Sequence, residues 1–254
     1  MSAKGEEEAP WVSILTPVYT GWEYLEECAL SVFLQTTERE AGSCFRWEWL
    51  IGVNGHGPTG GDALAVAKKL ERLAATHLKG KGVVRAMNLA AATNKAEAIN
   101  VLLFSSKGEW VAVLDCDDTW HREKLMTQYL ASRSVAAGAA VIGTFATYFG
   151  DMNSSGPAIP GGWVDPLILR TLNPIVNSSA ILQRVLARRH LWSNAFHGLD
   201  DYDLWIRIAR EGGRLYNIPF HLTHHRIHGG SAFNGRGGQD VEALRAYYFG
   251  PPRG

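Results

Sequence analysis

From Trp11 onward, short apolar runs alternate with amphipathic stretches. Residues 11–15 and 47–53 are near-continuous apolar runs of strand length, the pattern of strands covered on both faces. Between them, residues 22–35 place Tyr24, Leu25, Cys28, Ala29, Val32 and Phe33 at helical spacing. Residues 54–61 are glycine-rich and read as a loop. Residues 62–77 then predict a second helix, with Thr59 or Asp62 as its cap. A short strand at 81–86, a helix at 94–105 and a third strong strand at 109–114 follow. In the second half, residues 139–149 predict a strand, 151–162 a loop, and 165–171 and 183–190 helical turns. Residues 200–211 form an amphipathic helix with Leu204, Trp205 and Ile208 facing inward, and 215–222 read as extended. From Gly229 the chain is glycine-rich and then helical, as in a flap. This order predicts an α/β fold: a Rossmann-like, mainly parallel sheet flanked by helices. Such sheets bind ligands beyond the carboxyl ends of their strands. Residues 16–19, Asn54 and residues 115–118 all fall at such ends.

A chain of 254 residues with 46% hydrophobic content fits one large domain with a substantial core. Lys plus Arg and Asp plus Glu both number 25, so charge gives no reason to expect a nucleic-acid partner. The local cluster of Arg184, Arg188, Arg189 and His190 reads as a solvated helix face. Cys28, Cys44 and Cys116 are odd in number and widely spaced, which argues against disulfides and for a reducing, cytoplasmic setting. No apolar run of about 18 residues occurs, so no integral membrane segment is expected; a lipid-linked acceptor would be met by peripheral contact.

The chemistry-bearing feature is the segment around Asp115, Asp117 and Asp118, right after a strand. In extended geometry Asp115 and Asp117 point the same way. Two carboxylates on one side suit a hard divalent cation that can bridge a diphosphate. The plainer alternative is an acidic turn in which Asp118 or Thr119 caps the next helix.

Four segments, in order, resemble the inverting glycosyltransferases of family 2, which have the GT-A fold: VSILTPVYTGWEYLEECALSVFLQT, LDCDDTWHREKL, GLDDYDLWIRIA and HHRIHGGS. The resemblance spans roughly residues 11–233. It implies a nucleotide-sugar-binding half at 11–118 and an acceptor-binding half at 119–233; residues 1–10 read by themselves as a flexible lead-in, and 234–254 as a tail or flap. Thr16, Pro17 and Tyr19 would lie against the nucleoside. Asn54 sits in the loop that normally offers an acidic residue to the base. Lys95 and Asn100, in NKAEAIN, match a segment that touches the nucleotide. Asp115 would approach the ribose or a Mn2+ or Mg2+ ion, Asp117 would bind that ion, and His228 matches a histidine that contacts metal or diphosphate. Asp201 matches the catalytic base, with Asp200 beside it. The expected partners are a UDP-sugar (GDP or dTDP remaining open) and a glycan or other hydroxyl acceptor.

Two departures stand out. The second strand ends Val53-Asn54-Gly55-His56 where the family usually has two carboxylates, and Asp200 replaces a usual glutamate. Other readings remain. A haloacid-dehalogenase-type phosphatase would use Asp115 of DCDDT as nucleophile. A non-catalytic nucleotide-sugar-binding module would fit the missing carboxylates. His221, His224, His225 and His228 would suit zinc only weakly, with no cysteine ligands near.

Overall fold

The computed structural model describes residues 9–39, 42–54, 60–78, 80–229 and 240–250. The chain opens with β1 (Val12–Val18), a 3-10 turn at Trp22–Tyr24 and α1 (Leu25–Phe33). Then come a two-residue ribbon, β2 (Glu38–Arg39) and β3 (Gly42–Ser43), and β4 (Trp47–Val53). Next are α2 (Gly60–His77), β5 (Gly82–Asn88), α3 (Lys95–Ser105), β6 (Trp110–Val113), β7 (Thr119–Trp120) and α4 (Lys124–Ser132). The second half holds β8 (Val141–Gly150), β9 (Gly162–Trp163), a 3-10 turn at Pro166–Arg170 and another at Asn177–Ser179. It continues with β10 (Ile181–Gln183), α5 (Arg184–His190), α6 (Asp200–Arg210), β11 (Leu215–Ile227) and α7 (Val241–Phe249).

One sheet runs through both halves, in the order β5-β4-β1-β6-β10-β8-β11-β7, with β9 also on β11. β5, β4, β1 and β6 are parallel neighbours. β10 lies antiparallel between β6 and β8, and β11 returns parallel to β8. Alternate residues of the central strands feed two cores. Val12, Ile14, Trp49 and Ile51 pack with α1 and α2 on one face, and Leu15, Leu50, Val111 and Val113 pack with α3 and α6 on the other. The double coverage is why these strands read as unbroken apolar runs.

The differences from the sequence reading are instructive. The expected helix at 22–35 begins as a 3-10 turn and is α-helical only from Leu25. The short tracts β7, β9 and β10 carry no periodicity of their own and were not expected, nor was α4. β7 removes the capping alternative for the acidic turn. Thr119 pairs with His224 in the sheet, and the next helix has Glu123 at its N-cap. β11 runs five residues past its expected end at 222, crossing two irregularities in its register with β8. Thr59, Gly55, His56 and residues 230–239 lie outside the described residues, so the expected cap at Thr59 and the flap do too.

The basic cluster is not a simple solvated face. Arg184 donates to the carbonyl of Gly108, and Arg188 to those of Phe104 and Ser106. These bonds tie α5 to the end of α3. The described cysteines are all free thiols.

Gly143 on β8 fixes how closely the segment 173–179 lies on the sheet. A β-carbon there would stand 2.3 Å from Asn217 Oδ1 and 2.8 Å from Ile175 Cγ2. Asn217 is fully buried and donates to the carbonyls of Pro160 and Pro174, so neither neighbour can yield freely. Gly143→Ala should lower unfolding stability by about 1–3 kcal/mol, as overpacking does, in urea denaturation. Gly61→Ala, whose β-carbon meets nothing within 4 Å, should leave stability unchanged or slightly raised.

Candidate active site

The carboxyl ends of β1, β4 and β6 are level, because the strands are parallel and in register. Asn54 N–H donates to the carbonyl of Val18, and Leu114 N–H to that of Leu15. The chain therefore leaves the sheet at Tyr19, Asn54 and Asp115 along a single rim. Tyr19 is exposed there, whereas Thr16 and Pro17 are buried within β1. Thr16 Oγ1 accepts a hydrogen bond from Trp49 Nε1 at 2.8 Å. The Thr16 side chain thus belongs to the sheet interior, in contrast to its expected nucleoside contact.

Asp115 makes an ion pair with Lys95 at 2.7 Å, and Asn177 Nδ2 approaches its other oxygen at 3.5 Å. Burial works to raise the Asp115 pKa. The Lys95 charge and hydrogen bond, the His225 charge and the Asn177 amide outweigh it and hold the carboxyl below its usual range. Lys95 opens α3, where Asn94 caps the helix through Glu97 N–H. Burial opposes its charge, yet Asp115, Asp200 and Asp201 together hold its pKa above the ordinary lysine value. Lys95 thus links the two halves of the chain. Asn100, one turn further on, is used elsewhere. Its amide donates to the carbonyl of Trp192 and accepts from the Trp192 N–H. Both functions brace α3 against the segment before α6.

Asp117 meets His228 Nε2 at 2.9 Å. Burial and the like charges of Asp118 and Asp115 raise the Asp117 pKa, which the His228 hydrogen bond only partly offsets. Asp118 is fully buried and structural. It accepts from His225 Nδ1 at 3.0 Å and from the Arg226 N–H at 2.8 Å. Burial works to lower the His225 pKa, but Asp118, then Asp115 and Asp117, push it up to about 9. Arg226 lies between the rings of Tyr24 and Phe149, pairs with Glu27, and donates to the Asp117 carbonyl at 3.0 Å. It therefore fixes the acidic turn to α1 and to β11 together.

Among the described residues, no group of three or more His, Cys, Asp or Glu is placed to hold a metal ion. The expected trio of Asp115, Asp117 and His228 is not assembled, because Asp115 is turned to Lys95. Asp117 and His228 do present an oxygen and a nitrogen donor side by side. That pair fits a divalent cation whose remaining positions come from substrate phosphate and water. The suggested zinc cluster is dispersed. His221 bonds to the Ala146 carbonyl and His224 to Thr147 Oγ1.

Asp200 and Asp201 begin α6, whose Leu204, Trp205 and Ile208 are buried as the amphipathic pattern predicts. Asp201 accepts from Asn173 Nδ2 at 2.9 Å and from the Tyr202 N–H at 2.7 Å. Burial, then the Asp200 charge, push the Asp201 pKa up to about 7, against the helping bonds and Lys95. Asp200 Oδ2 and Asn54 Oδ1 are buried acceptors with no hydrogen-bond partner among the described residues. Sequence reasoning did not find Asn173, Asn177 or Arg226. The two asparagines sit in NPIVNSS, a stretch without periodicity, and Arg226 stands inside a motif noted for its histidines.

A mainly parallel sheet carrying an Asp-x-Asp turn at its rim, opposed by carboxylates on a late helix, is the GT-A fold of glycosyltransferases. The sequence profile described as Glycosyl transferase family 2 matches residues 13–175, and the chain belongs to that family. This sets the phosphatase reading aside. An uncharacterised glycosyltransferase of Haemophilus influenzae is 23% identical over 240 residues, covering 88% of this chain and 67% of that protein. Another from Rickettsia conorii is 24% identical over 229 residues, covering 87% of this chain but 33% of that protein; the chain thus spans about a third of its length. Among solved structures, S. aureus TarS 1-349 in complex with UDP-GlcNAc superposes with a TM-score of 0.70 at 16% identity, over 93% of this chain and 66% of that one. The Pyrobaculum calidifontis mannosyltransferase in complex with GDP-Man and Mn2+ gives 0.63 at 17% identity, over 94% and 62%. No helix among the described residues is long and apolar enough to cross a membrane.

The raised Asp201 pKa has a stability consequence. An unfolded aspartate titrates near pH 4, whereas folded Asp201 holds its proton up to about 7. The folded state binds more protons between these values, so the stabilisation present at lower pH is lost as pH rises through that window. Asp201→Asn should remove this slope. Relative to wild type, the variant should gain stability between about pH 5 and about pH 7.5, measured by denaturant midpoints.

Proposed function

We propose that this chain transfers a sugar from a nucleoside-diphosphate donor to a hydroxyl acceptor in a single displacement that inverts the anomeric carbon. The observation that carries this reading is Asp201. It is a half-buried carboxylate with a pKa pushed up to about 7, and it shares the field of Lys95 with Asp115. A carboxylate tuned towards neutrality suits a general base. The acceptor O–H gives its proton to Asp201. The acceptor oxygen then bonds to the anomeric carbon as the bond to the diphosphate oxygen breaks, and that electron pair leaves with the nucleoside diphosphate.

The chain's other groups have separable tasks in this scheme. Tyr19 offers an exposed ring to the nucleoside, and Asn54 a buried amide oxygen without a hydrogen-bond partner among the described residues. Lys95 holds Asp115 ready for the ribose and adds positive charge near the leaving diphosphate. Asp117 and His228 would hold Mn2+ or Mg2+, which when bound supplies charge stabilisation to the leaving group. The donor half, 11–118, and the acceptor half, 119–233, meet where Lys95 faces α6. A UDP-sugar is the favoured donor, with GDP and dTDP sugars to be compared. The nucleotide sugars bound by the two structural neighbours support this class of donor.

Two measurements test the proposal. In a panel of nucleotide sugars with Mn2+, the true donor should raise the thermal midpoint by linkage, and Asp117→Ala should abolish that metal-dependent gain. Asp201→Asn should keep donor binding yet lose about 10²-fold or more in turnover, a general-base magnitude; near-normal turnover would remove Asp201 from the role. Because Asp200 raises the Asp201 pKa, Asp200→Asn should shift the acidic limb of the kcat/KM profile to lower pH.

A further inference from the structure

The 3-10 turn at Asn177–Ser179 is pinned from several sides. Ser178 Oγ accepts from the Asp115 N–H at 3.2 Å, and the Ser178 carbonyl accepts from Trp120 Nε1 at 2.7 Å. Ser179 Oγ donates to the Val176 carbonyl and accepts from the Thr144 N–H. The Ser179 carbonyl accepts from Gln128 Nε2, which also serves the carbonyl of Ile142. Behind Gln128 lies Lys124, fully buried, donating to Gln128 Oε1 at 2.8 Å and set 4.0 Å over the Trp120 ring. No carboxylate pairs with Lys124 among the described residues, and burial drives its pKa well below the lysine norm. Its hydrogen bond to Gln128 orients the amide that serves Ser179 and Ile142.

What this scaffold offers the site is Asn177. Its Nδ2 faces Asp115 at 3.5 Å, while its Oδ1 is buried without a hydrogen-bond partner among the described residues. Reversing the amide would set its oxygen against the Asp115 carboxylate, so the neighbouring charge fixes which atom is left over. Four residues earlier on the same segment, Asn173 holds Asp201. The segment 173–179 therefore joins the proposed base at one end to Asp115 at the other. In a single displacement the transferred sugar must lie between the base and the leaving group, which is the span this segment covers.

The geometry points to Asn177 as a specificity-determining residue that accepts a hydrogen bond from a hydroxyl or amide N–H of the transferred sugar, not from the nucleotide. This rests on the proposed glycosyl transfer. A buried acceptor without a donor is costly, and a sugar hydroxyl satisfies it while a sugar lacking that group does not.

The test compares two ligands by calorimetry with Mn2+: UDP with UDP-N-acetylglucosamine, or GDP with GDP-mannose, whichever pair the wild-type chain binds. In Asn177→Ala and Asn177→Ser, affinity for the nucleotide sugar should fall about tenfold, the worth of one hydrogen bond to a buried group. Affinity for the nucleoside diphosphate should fall by clearly less, whatever change reaches it through Asp115 being common to both ligands. The ratio of the two affinities is the readout, because a smaller folded fraction leaves it unchanged. An unchanged ratio, with wild type binding both ligands, overturns the assignment of Asn177 alone. Wild-type binding of no nucleotide sugar in the UDP, GDP and dTDP panel overturns the proposed function and this inference with it.

Discussion

Asp115, Asp117, Asp118, Asp200 and Asp201 all gather about one rim of the sheet, and their mutual repulsion is the constraint around which the rest is arranged. Each is answered differently. Asp115 is compensated by Lys95, and Asp118 by His225 and a backbone N–H. Asp117 has His228 but still feels two like charges, and Asp201 has only amide donors and the more distant Lys95. Asp200 Oδ2 is buried with no hydrogen-bond partner among the described residues. Of the carboxylates left under-compensated, Asp117 and Asp201 are the ones that the proposed chemistry requires, one for a cation and one for a proton. Uneven compensation of similar side chains is how one rim can give four-carbon acids different tasks.

Much of the donor half was legible in the sequence, because its strands are buried on both faces and its helices are amphipathic. β4 was found at its observed limits, and the third strand was found with the acidic turn after it. The second half was less legible. β7 and β10 are too short to show a period; β10 is held between β6 and β8, and β7 pairs with the edge of β11 alone. β11 alternates poorly beyond Leu222 because its residues there face the acidic turn, Phe149 and Tyr148 instead of one apolar core. The site followed the same division. Chemically distinctive types, such as Asp117, Asp201 and His228, drew attention in the sequence, and the structure places Asp117 beside His228. Asn100 and Thr16 carried the right types in the right segments, but their polar atoms were already engaged by Trp192 and Trp49. Only tertiary contacts could reveal that.

Arg226 shows a third kind of residue, one whose importance comes from joining elements. It reaches Glu27 and Tyr24 on the first helical segment, the Asp117 carbonyl on the acidic turn, and Phe149 on β8. Its planar cation can stack and donate at once, which a lysine in its place could not do equally. Sequence motifs mark such a position without saying what it does.

The last long strand has an implication for biosynthesis. β11 is inserted between β8 and β7, and it and the residue after it deliver His225, Arg226 and His228 to an acidic turn synthesised more than a hundred residues earlier. While the chain is still on the ribosome, the early strands and helices can collapse on their own local contacts. Lys95 is already made when Asp115 emerges, but Asp117 and Asp118 must wait unanswered until this strand follows. Closure of so distant a pairing is slow for entropic reasons. A nascent chain of this design therefore passes through a stage with a formed core and an open, strongly anionic edge, exposed to stray cations and to chaperones that recognise unpaired strands.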